Sequence, residues 1–354
     1  MKNTASLCAG RPGACGCPAR LRRKTAVLCR PPVAGHACAA VRIEIKMWAG
    51  QPVPPGVYGE QAWPGTPCRK KGGYVVQMGF VKMHGCGNDY LYVDGISGAA
   101  PAPKAAAQAA PRLCARHTGV GADGIILLLP CEGADARMRM FNADGTEGAM
   151  CGNGARCAGA LLMARGLTAQ SGRALVRTNS GLRTVTHRPG GLYTVEMGAP
   201  EWRAEEMGLA GLRGRVLGRP LEFEGESRRV SCVAVGNVHC VQFVPDTTAL
   251  RLEELGPRVA YAGWFPSGAN AGFAQLCGEN ELRMRVYERG SKETLACGTG
   301  ACAAVACAWA LGLCTQGSPI AVHMPGGTLW VSENAGQLLL TGPVQAVFEG
   351  KAEI

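Results

Sequence analysis

Glu147-Gly-Ala-Met-Cys-Gly-Asn-Gly-Ala-Arg-Cys-Ala-Gly-Ala-Leu-Leu162 recurs in outline at Lys292-Glu-Thr-Leu-Ala-Cys-Gly-Thr-Gly-Ala-Cys-Ala-Ala-Val305. Each stretch holds Cys-Gly-x-Gly-Ala, and Cys151 and Cys297 stand 146 positions apart. Other landmarks repeat at nearly the same offset. Gly181 matches Gly327, Val195–Pro200 matches Leu338–Pro343, and the Gly87-Asn88 turn matches Gly236-Asn237. Such self-similarity predicts a tandem duplication. In each copy a cysteine precedes an apolar helix, and the run Ala301-Cys-Ala-Ala-Val-Ala-Cys-Ala-Trp-Ala310 is apolar on all sides, as suits a helix buried inside its domain.

Strand patterns surround both helices. Phe80–Met83, Tyr90–Asp94, Ile125–Leu129, Ala136–Phe141, Leu175–Val185 and Leu192–Met197 read as strands of the first copy. Val230–Val235, the stretch after Asn237 and Leu282–Tyr287 read as strands of the second, with Met324–Val331 corresponding to Thr178–Val185 and Leu338–Pro343 to Val195–Pro200. The expected fold class is α/β (α+β), with two pseudo-symmetric domains packed face to face and the working site in the cleft between them. The first domain is expected over 78–200, the second over 201–340, and 341–354 as a C-terminal strand returning to the first.

Charge is unevenly placed. The chain carries a formal +11, yet residues 1–77 hold 12 Lys and Arg against 2 Asp and Glu, while the remainder holds 25 against 24. The body has no basic excess to attract phosphates, so no nucleic-acid partner is expected. No long apolar run predicts a membrane span. Residues 1–77 are rich in Pro, Gly, Cys, Ala and Arg and sustain no period, so a disordered basic leader is expected. It resembles an organelle transit peptide; the plainer reading is that the working protein starts at Met78. Eighteen cysteines without an export signal point to a reducing compartment, hence the cytoplasm.

A cysteine at a helix start sits among unpaired N–H groups and the positive end of the helix dipole. The thiolate is favoured there, and the free amides can hold a carboxylate. Two such units facing each other could take a proton from one face of a carbon acid and return one to the other. Such a pair works as one thiolate and one thiol and titrates as a unit. Cys157, Cys302 and Cys307 read as buried packing residues. The spacings 151–157 and 297–302 fit zinc pairs poorly, so no metal is expected. A thiol redox or metal-binding protein remains the alternative of a different class.

Taken with their surroundings, these motifs resemble the diaminopimelate epimerase family. The resemblance rests on Phe80-Val-Lys-Met-His-Gly-Cys-Gly-Asn-Asp-Tyr90, Arg116–Gly124, Phe141-Asn-Ala-Asp-Gly-Thr146 with Met150-Cys-Gly-Asn-Gly-Ala-Arg156, Gly236-Asn-Val-His-Cys-Val241, Tyr287-Glu-Arg-Gly290 with Thr294–Ala301, and Pro325-Gly-Gly327. It covers the body and none of the leader. It implies two domains, each a curled mixed sheet around a central helix. It also implies cofactor-independent interconversion of LL- and meso-diaminopimelate, in lysine and peptidoglycan precursor synthesis, with Cys151 and Cys297 as the acid/base pair. By motif position, Asn88, Asn142, Asn237, Asn270, Glu288 and Arg289 would contact substrate. The amides of Gly152, Asn153, Gly298 and Thr299 would hold the reacting carboxylate. His239 and Glu288 would tune the thiols. A homodimer is the family expectation. Tyr90 stands where phenylalanine is more usual, and Val238 replaces the commoner proline. A proline-type racemase shares the two-thiol logic, but its substrate has no distal ammonium or carboxylate for Glu288 and Arg289 to hold.

A protein starting at Met78 is expected to keep the epimerase activity of the full chain. Assay of the 1–77 deletion checks this; an inactive deletion would place the leader inside the working enzyme.

Overall fold

The computed structural model describes residues 77–354 throughout, together with four short strands before them, Arg23–Ala26, Ile43–Met47, Cys68–Lys70 and Gly73–Val75. Ile43–Met47 pairs antiparallel with Arg23–Ala26 and with the C-terminal strand Gln345–Glu353. Apart from these strands, the expectation of a disordered leader falls outside the described residues.

One seam joins the halves: Leu192–Gly198 pairs antiparallel with Gln337–Pro343. Outward from it the first half runs Gly181–Arg188, Arg173–Thr178, Ala136–Asn142, Gly124–Leu129, Asn88–Asp94 and Gln77–Gly85. The second half runs Gly327–Asn334, Ile320–Met324, Glu281–Glu288, Asn270–Gly278, Val238–Phe243 and Glu226–Ala234. Both halves follow the same order of directions: antiparallel twice, parallel, antiparallel, parallel, antiparallel. The duplicated sequence has folded into two copies of one curled mixed sheet. The segment that follows each seam strand pairs with the opposite sheet. Gln345–Glu353 pairs with Gln77–Gly85, and Glu201 bridges Ala234.

Among the described residues four α-helices pack on the sheets: α1 (Pro103–Leu113), α2 (Gly152–Ala164), α3 (Leu252–Ala260) and α4 (Gly298–Ala310). The strand Gly124–Leu129 shows how they are layered. Ile126 and Leu128 point into a core shared with α2, while Ile125 and Leu127 point into a second core with Ala106, Ala110 and Leu113 of α1. A strand covered on both faces reads as a continuous apolar run, as Gly-Ile-Ile-Leu-Leu-Leu does. α2 is enclosed by strands 77–85, 88–94, 173–178, 181–188 and 192–198, and α4 by strands 226–234, 238–243, 270–278, 327–334 and 337–343. Residues 152–162 of α2 are all buried, as is most of α4. Each helix ends at a glycine in the left-handed region, Gly166 (φ 67°) and Gly312 (φ 68°). Among the described residues no helix is long and apolar enough to cross a membrane.

One reading of the sequence needed correction. Leu175–Val185 is not one strand: a turn at Asn179-Ser180 divides it, and residues 173–178 fold back on 181–188. The helix α3, for which the sequence carries no stated expectation, runs through Gly256-Pro257, a pair that usually breaks a helix. It forms because Leu252, Leu255 and Val259 bury one face against Phe273 and Tyr287.

Leu340 lies in the seam, opposite Val195 on one side and Val331 on the other, and is fully buried. Leu340→Ala should cost about 2–5 kcal/mol, the usual range for emptying a buried leucine site. Urea unfolding checks this; a loss below about 1 kcal/mol would show that the seam does not depend on this side chain.

Candidate active site

The N-termini of α2 and α4 meet at the seam. A Cβ added at Gly152 would lie 3.0 Å from Leu340 Cδ2, and one at Gly298 would lie 2.6 Å from the same atom. The Gly298 position is also 3.8 Å from the Asn153 backbone nitrogen. A side chain at either glycine would have to push Leu340 aside. Asn153, 1% exposed, spans the join: its Nδ2 donates to the Ala296 carbonyl at 3.2 Å and reaches Asn88 Oδ1 at 3.4 Å.

Each cysteine caps its helix. Cys151 has extended backbone (φ −131°, ψ 123°) and accepts from the Gly154 N–H at 3.4 Å. Cys297 (φ −117°, ψ 110°) accepts from the Gly300 N–H at 3.3 Å. The sulfur thus takes the place of the serine or aspartate oxygen usual at this position. Cys151 Sγ lies 3.2 Å from Asn88 Oδ1, and Cys297 Sγ lies 3.3 Å from the Thr299 hydroxyl.

The two thiols have different surroundings. Burial raises the pKa of Cys151, opposed by the Gly154 N–H and the Tyr90 hydroxyl. Burial raises Cys297 further, to well above the ordinary thiol value, and the nearby Glu288 carboxylate adds to the rise. Burial also raises Glu288, while hydrogen bonds from the Thr294 hydroxyl and the Cys297 thiol oppose it. The Glu288 carboxylate disfavours ionisation of both cysteines, and of Cys297 the more strongly.

Asn88 is placed by a two-residue hairpin turn. Cys86 (φ 54°) and Gly87 (φ 83°) are both left-handed, and Gly85 pairs with Asn88 across the turn. Its amide donates to Asp123 Oδ2 at 2.7 Å. Asp123 is tied in turn to Arg116, which also grips Asp89 at 2.8 Å, and Lys82 reaches Asp89 at 3.0 Å. The sequence reading missed Asp123. A carboxylate directly before Gly124, in the glycine-dense turn facing the Asn88 turn, was the signal available.

The other expected residues form a second group. Asn237 Oδ1 lies 2.9 Å from His239 Nε2, and His239 pairs with Asn270 on the neighbouring strand. Asn270 Oδ1 accepts from the Arg289 N–H at 2.8 Å, and its buried Nδ2 has no hydrogen-bond partner among the described residues. Arg289 is held against Gly268, with its guanidinium on the Ser267 carbonyl. Asn142 is occupied within its own turn, donating to Thr146 Oγ1 at 3.0 Å. Cys151, Asn88, Asn153, Cys297, Thr299 and Glu288 therefore come together at the helix ends. Asn237, His239, Asn270 and Arg289 form a polar rim of the second half, and Asn142 a separate turn beside Gly124. Among the described residues no cluster of His, Cys, Asp and Glu suits a metal ion.

The family model described as diaminopimelate epimerase matches residues 80–203 and 231–347. A diaminopimelate epimerase of Burkholderia ambifaria is 42% identical over 292 residues, 79% of this chain and 99% of that protein. Diaminopimelate epimerase 1 of a Nostoc species is 41% identical over 77% of this chain and 98% of its own. Among solved structures, a phenazine biosynthesis protein of Bacillus anthracis superposes with TM-score 0.58 at 17% identity, covering 78% of this chain and 99% of its own. A probable proline racemase of Agrobacterium radiobacter gives 0.56 at 16%, covering 78% and 92%. At these identities the two structures share the fold.

Burial pushes His239 down to about 3, so it is neutral at physiological pH. Between its ordinary 6.5 and about 3, the unfolded chain binds a proton that the folded protein does not. Stability contributed by the neutral ring is therefore intact above about 6.5 and falls as pH drops, by about 5 kcal/mol once below about 3. His239→Gln should flatten acid destabilisation across that window. Unfolding measured at stepped pH checks this; an unchanged slope would contradict a neutral His239.

Proposed function

The chain belongs to the diaminopimelate epimerase family, and from that premise we propose that Cys151 and Cys297 are the two acid/base groups with which it inverts the α-carbon of diaminopimelate. The observation that carries this reading is the meeting of two cysteine-capped helix ends at Leu340. The amides of Gly152, Asn153, Gly298 and Thr299 lie in the first turns there, where N–H groups have no partner within the helix. They suit the α-carboxylate, and they stabilise the negative charge that grows on it when the α-proton leaves.

The step balances in protons. A thiolate on one face takes the α-proton, so a C–H bond breaks and an S–H bond forms. The thiol on the other face gives its proton to the carbanion, so an S–H bond breaks and a C–H bond forms on the opposite side. The enzyme finishes with the roles of the sulfurs exchanged. Cys151, with hydrogen bonds from Gly154 and Tyr90, is the less strongly raised of the two thiols and so the readier base. Cys297, facing Glu288, holds the proton. Asn88 and Asn153 fix the position of the Cys151 side. The substrate's second amino-acid end needs an anion clamp and an ammonium acceptor, roles suited to Arg289 with the asparagines and to Glu288. Asn142, Asn237 and Asn270 complete the proposed contacts, with His239 ordering Asn237. Two chains are proposed to associate as a homodimer, on the family resemblance.

Incubation of the full chain with LL-diaminopimelate in D2O should place deuterium at one α-carbon as meso product appears. Cys151→Ser and Cys297→Ser should each lose epimerisation by roughly 10²- to 10⁴-fold, the usual weight of a positioned acid or base. Unimpaired turnover in both variants would sink the two-thiol reading.

A further inference from the structure

Asn88 stands between a thiol and a carboxylate. Cys151 Sγ lies 3.2 Å from Asn88 Oδ1, which Asn153 Nδ2 also approaches at 3.4 Å. At the other end of the amide, Asn88 Nδ2 donates to Asp123 Oδ2 at 2.7 Å. The two ends of an amide have the same shape but opposite chemistry, since the nitrogen donates and the oxygen accepts. A carboxylate can only accept, so the nitrogen must face Asp123 and the oxygen must face the sulfur. The opposite orientation would set two oxygens against each other and turn the amide nitrogen on Asn153 Nδ2.

Asp123 is itself held from several sides. Its Oδ1 accepts from Arg116 Nη2 at 2.6 Å, and its Oδ2 also accepts from the Asp89 N–H at 3.0 Å. Its own N–H donates to the Asp89 carbonyl at 2.8 Å, and its carbonyl accepts from the Ala143 N–H at 2.9 Å. Arg116 also grips Asp89 at 2.8 Å, and Lys82 reaches Asp89 at 3.0 Å from the neighbouring strand. The second half has no counterpart. Tyr90 pairs with Gly124 as His239 pairs with Asn270, so the residue that matches Asp123 is Ala269. There the Asn237 amide is met by its own strand, with Oδ1 on His239 Nε2.

We propose that Asp123 is a positioning residue for the epimerisation: it locks the Asn88 amide with its oxygen toward Cys151, so that this side chain receives the proton of the thiol. The proposal rests on the two-thiol reading. Asp123 touches no reacting atom; it acts through Asn88. The Gly154 N–H favours the thiolate and the Asn88 oxygen favours the thiol, so the sulfur has a partner in each state. A proton taken from the α-carbon would then be held along one direction. The other titratable or charged groups around Cys151 are Tyr90 and Tyr92 on the Asn88 strand, Arg156 and Cys157 on α2, and Glu288 from the second half.

The test is the pH profile of iodoacetamide alkylation at Cys151 and Cys297, resolved by peptide mass, in the full chain. Asp123→Asn replaces the acceptor-only group by an amide and should free Asn88 to turn its nitrogen to the sulfur. The Cys151 profile should then move down by about one pH unit, the size of an exchanged hydrogen bond, while the Cys297 profile stays in place. Loss of the carboxylate's charge would also lower the Cys151 profile, so the substitution is repeated in Asn88→Ala, where no amide remains to turn. The shift should largely vanish there, since a double-mutant cycle isolates the part carried by the pair. A shift of the same size in both backgrounds, or a folded Asp123→Asn protein with an unmoved Cys151 profile, overturns the proposal. Should Asp123→Asn not fold, the parent labelled with 13C and 15N decides. The coupling across the hydrogen bond from Asn88 Nδ2 to Asp123 Cγ should persist on both sides of the Cys151 titration; its disappearance as Cys151 ionises would reveal an amide that turns freely and overturn the lock. Failure of the two-thiol reading would show separately, as turnover surviving in Cys151→Ser and Cys297→Ser, which leaves the alkylation shifts in place.

Discussion

Two helix N-termini meet inside the protein, and the rest of the structure serves that meeting. A helix end carries N–H groups that its own turns cannot satisfy, and leaving them buried is costly. At α2 and α4 each sulfur takes one of them, from Gly154 and from Gly300. The N–H groups before them stay available at the place where Leu340 holds both helix ends against the seam. In a low-dielectric setting, two dipole ends aimed at one place make a strong anion site. The curled sheets hold the helices rigid, and the exchange of Gln345–Glu353 and Glu201 between halves locks the two sheets together.

On this nearly twofold frame the side chains are deliberately unequal. Asn153 faces Thr299 across the pseudo-axis, Arg156 matches Cys302, and the neighbours Tyr90 and Asn88 on one side contrast with Glu288 and Thr294 on the other. Symmetric backbone suits a planar carbanion approached from both faces. Unequal side chains suit a pair that must hold one proton between two sulfurs, and a substrate of which only one end reacts. In the second half, Asn237 is hydrogen-bonded to His239 and Asn270 to the Arg289 backbone.

Much of this was legible in the chain. The Cys-Gly-x-Gly-Ala repeat predicts the duplication, the all-apolar run after Cys297 predicts a helix enclosed by its sheet, and Gly166 and Gly312 mark the ends of both helices. Local pattern failed where a tertiary partner decided the outcome. The turn at Asn179-Ser180 lies inside what looks like one long strand, and pairing of residues 173–178 with 181–188 makes it a hairpin. α3 carries Gly256-Pro257 and persists because its apolar face is covered by the sheet. Asp123 could not be weighed from composition, because its role depends on facing Asn88 from another turn. Leu340 looks like any core leucine.

By itself, then, the sequence determined the family, the duplication and the chemistry each cysteine can perform, because those follow from residue types at short spacing: a thiol, glycines and an apolar helix within one segment. Only the tertiary structure decided that the two caps converge on one leucine, that Asn153 bridges them to Ala296, that Glu288 accepts from Thr294 near Cys297, and that Arg156 is buried with no hydrogen-bond partner among the described residues. These depend on distances between segments about 146 residues apart, which packing sets and local sequence pattern does not encode.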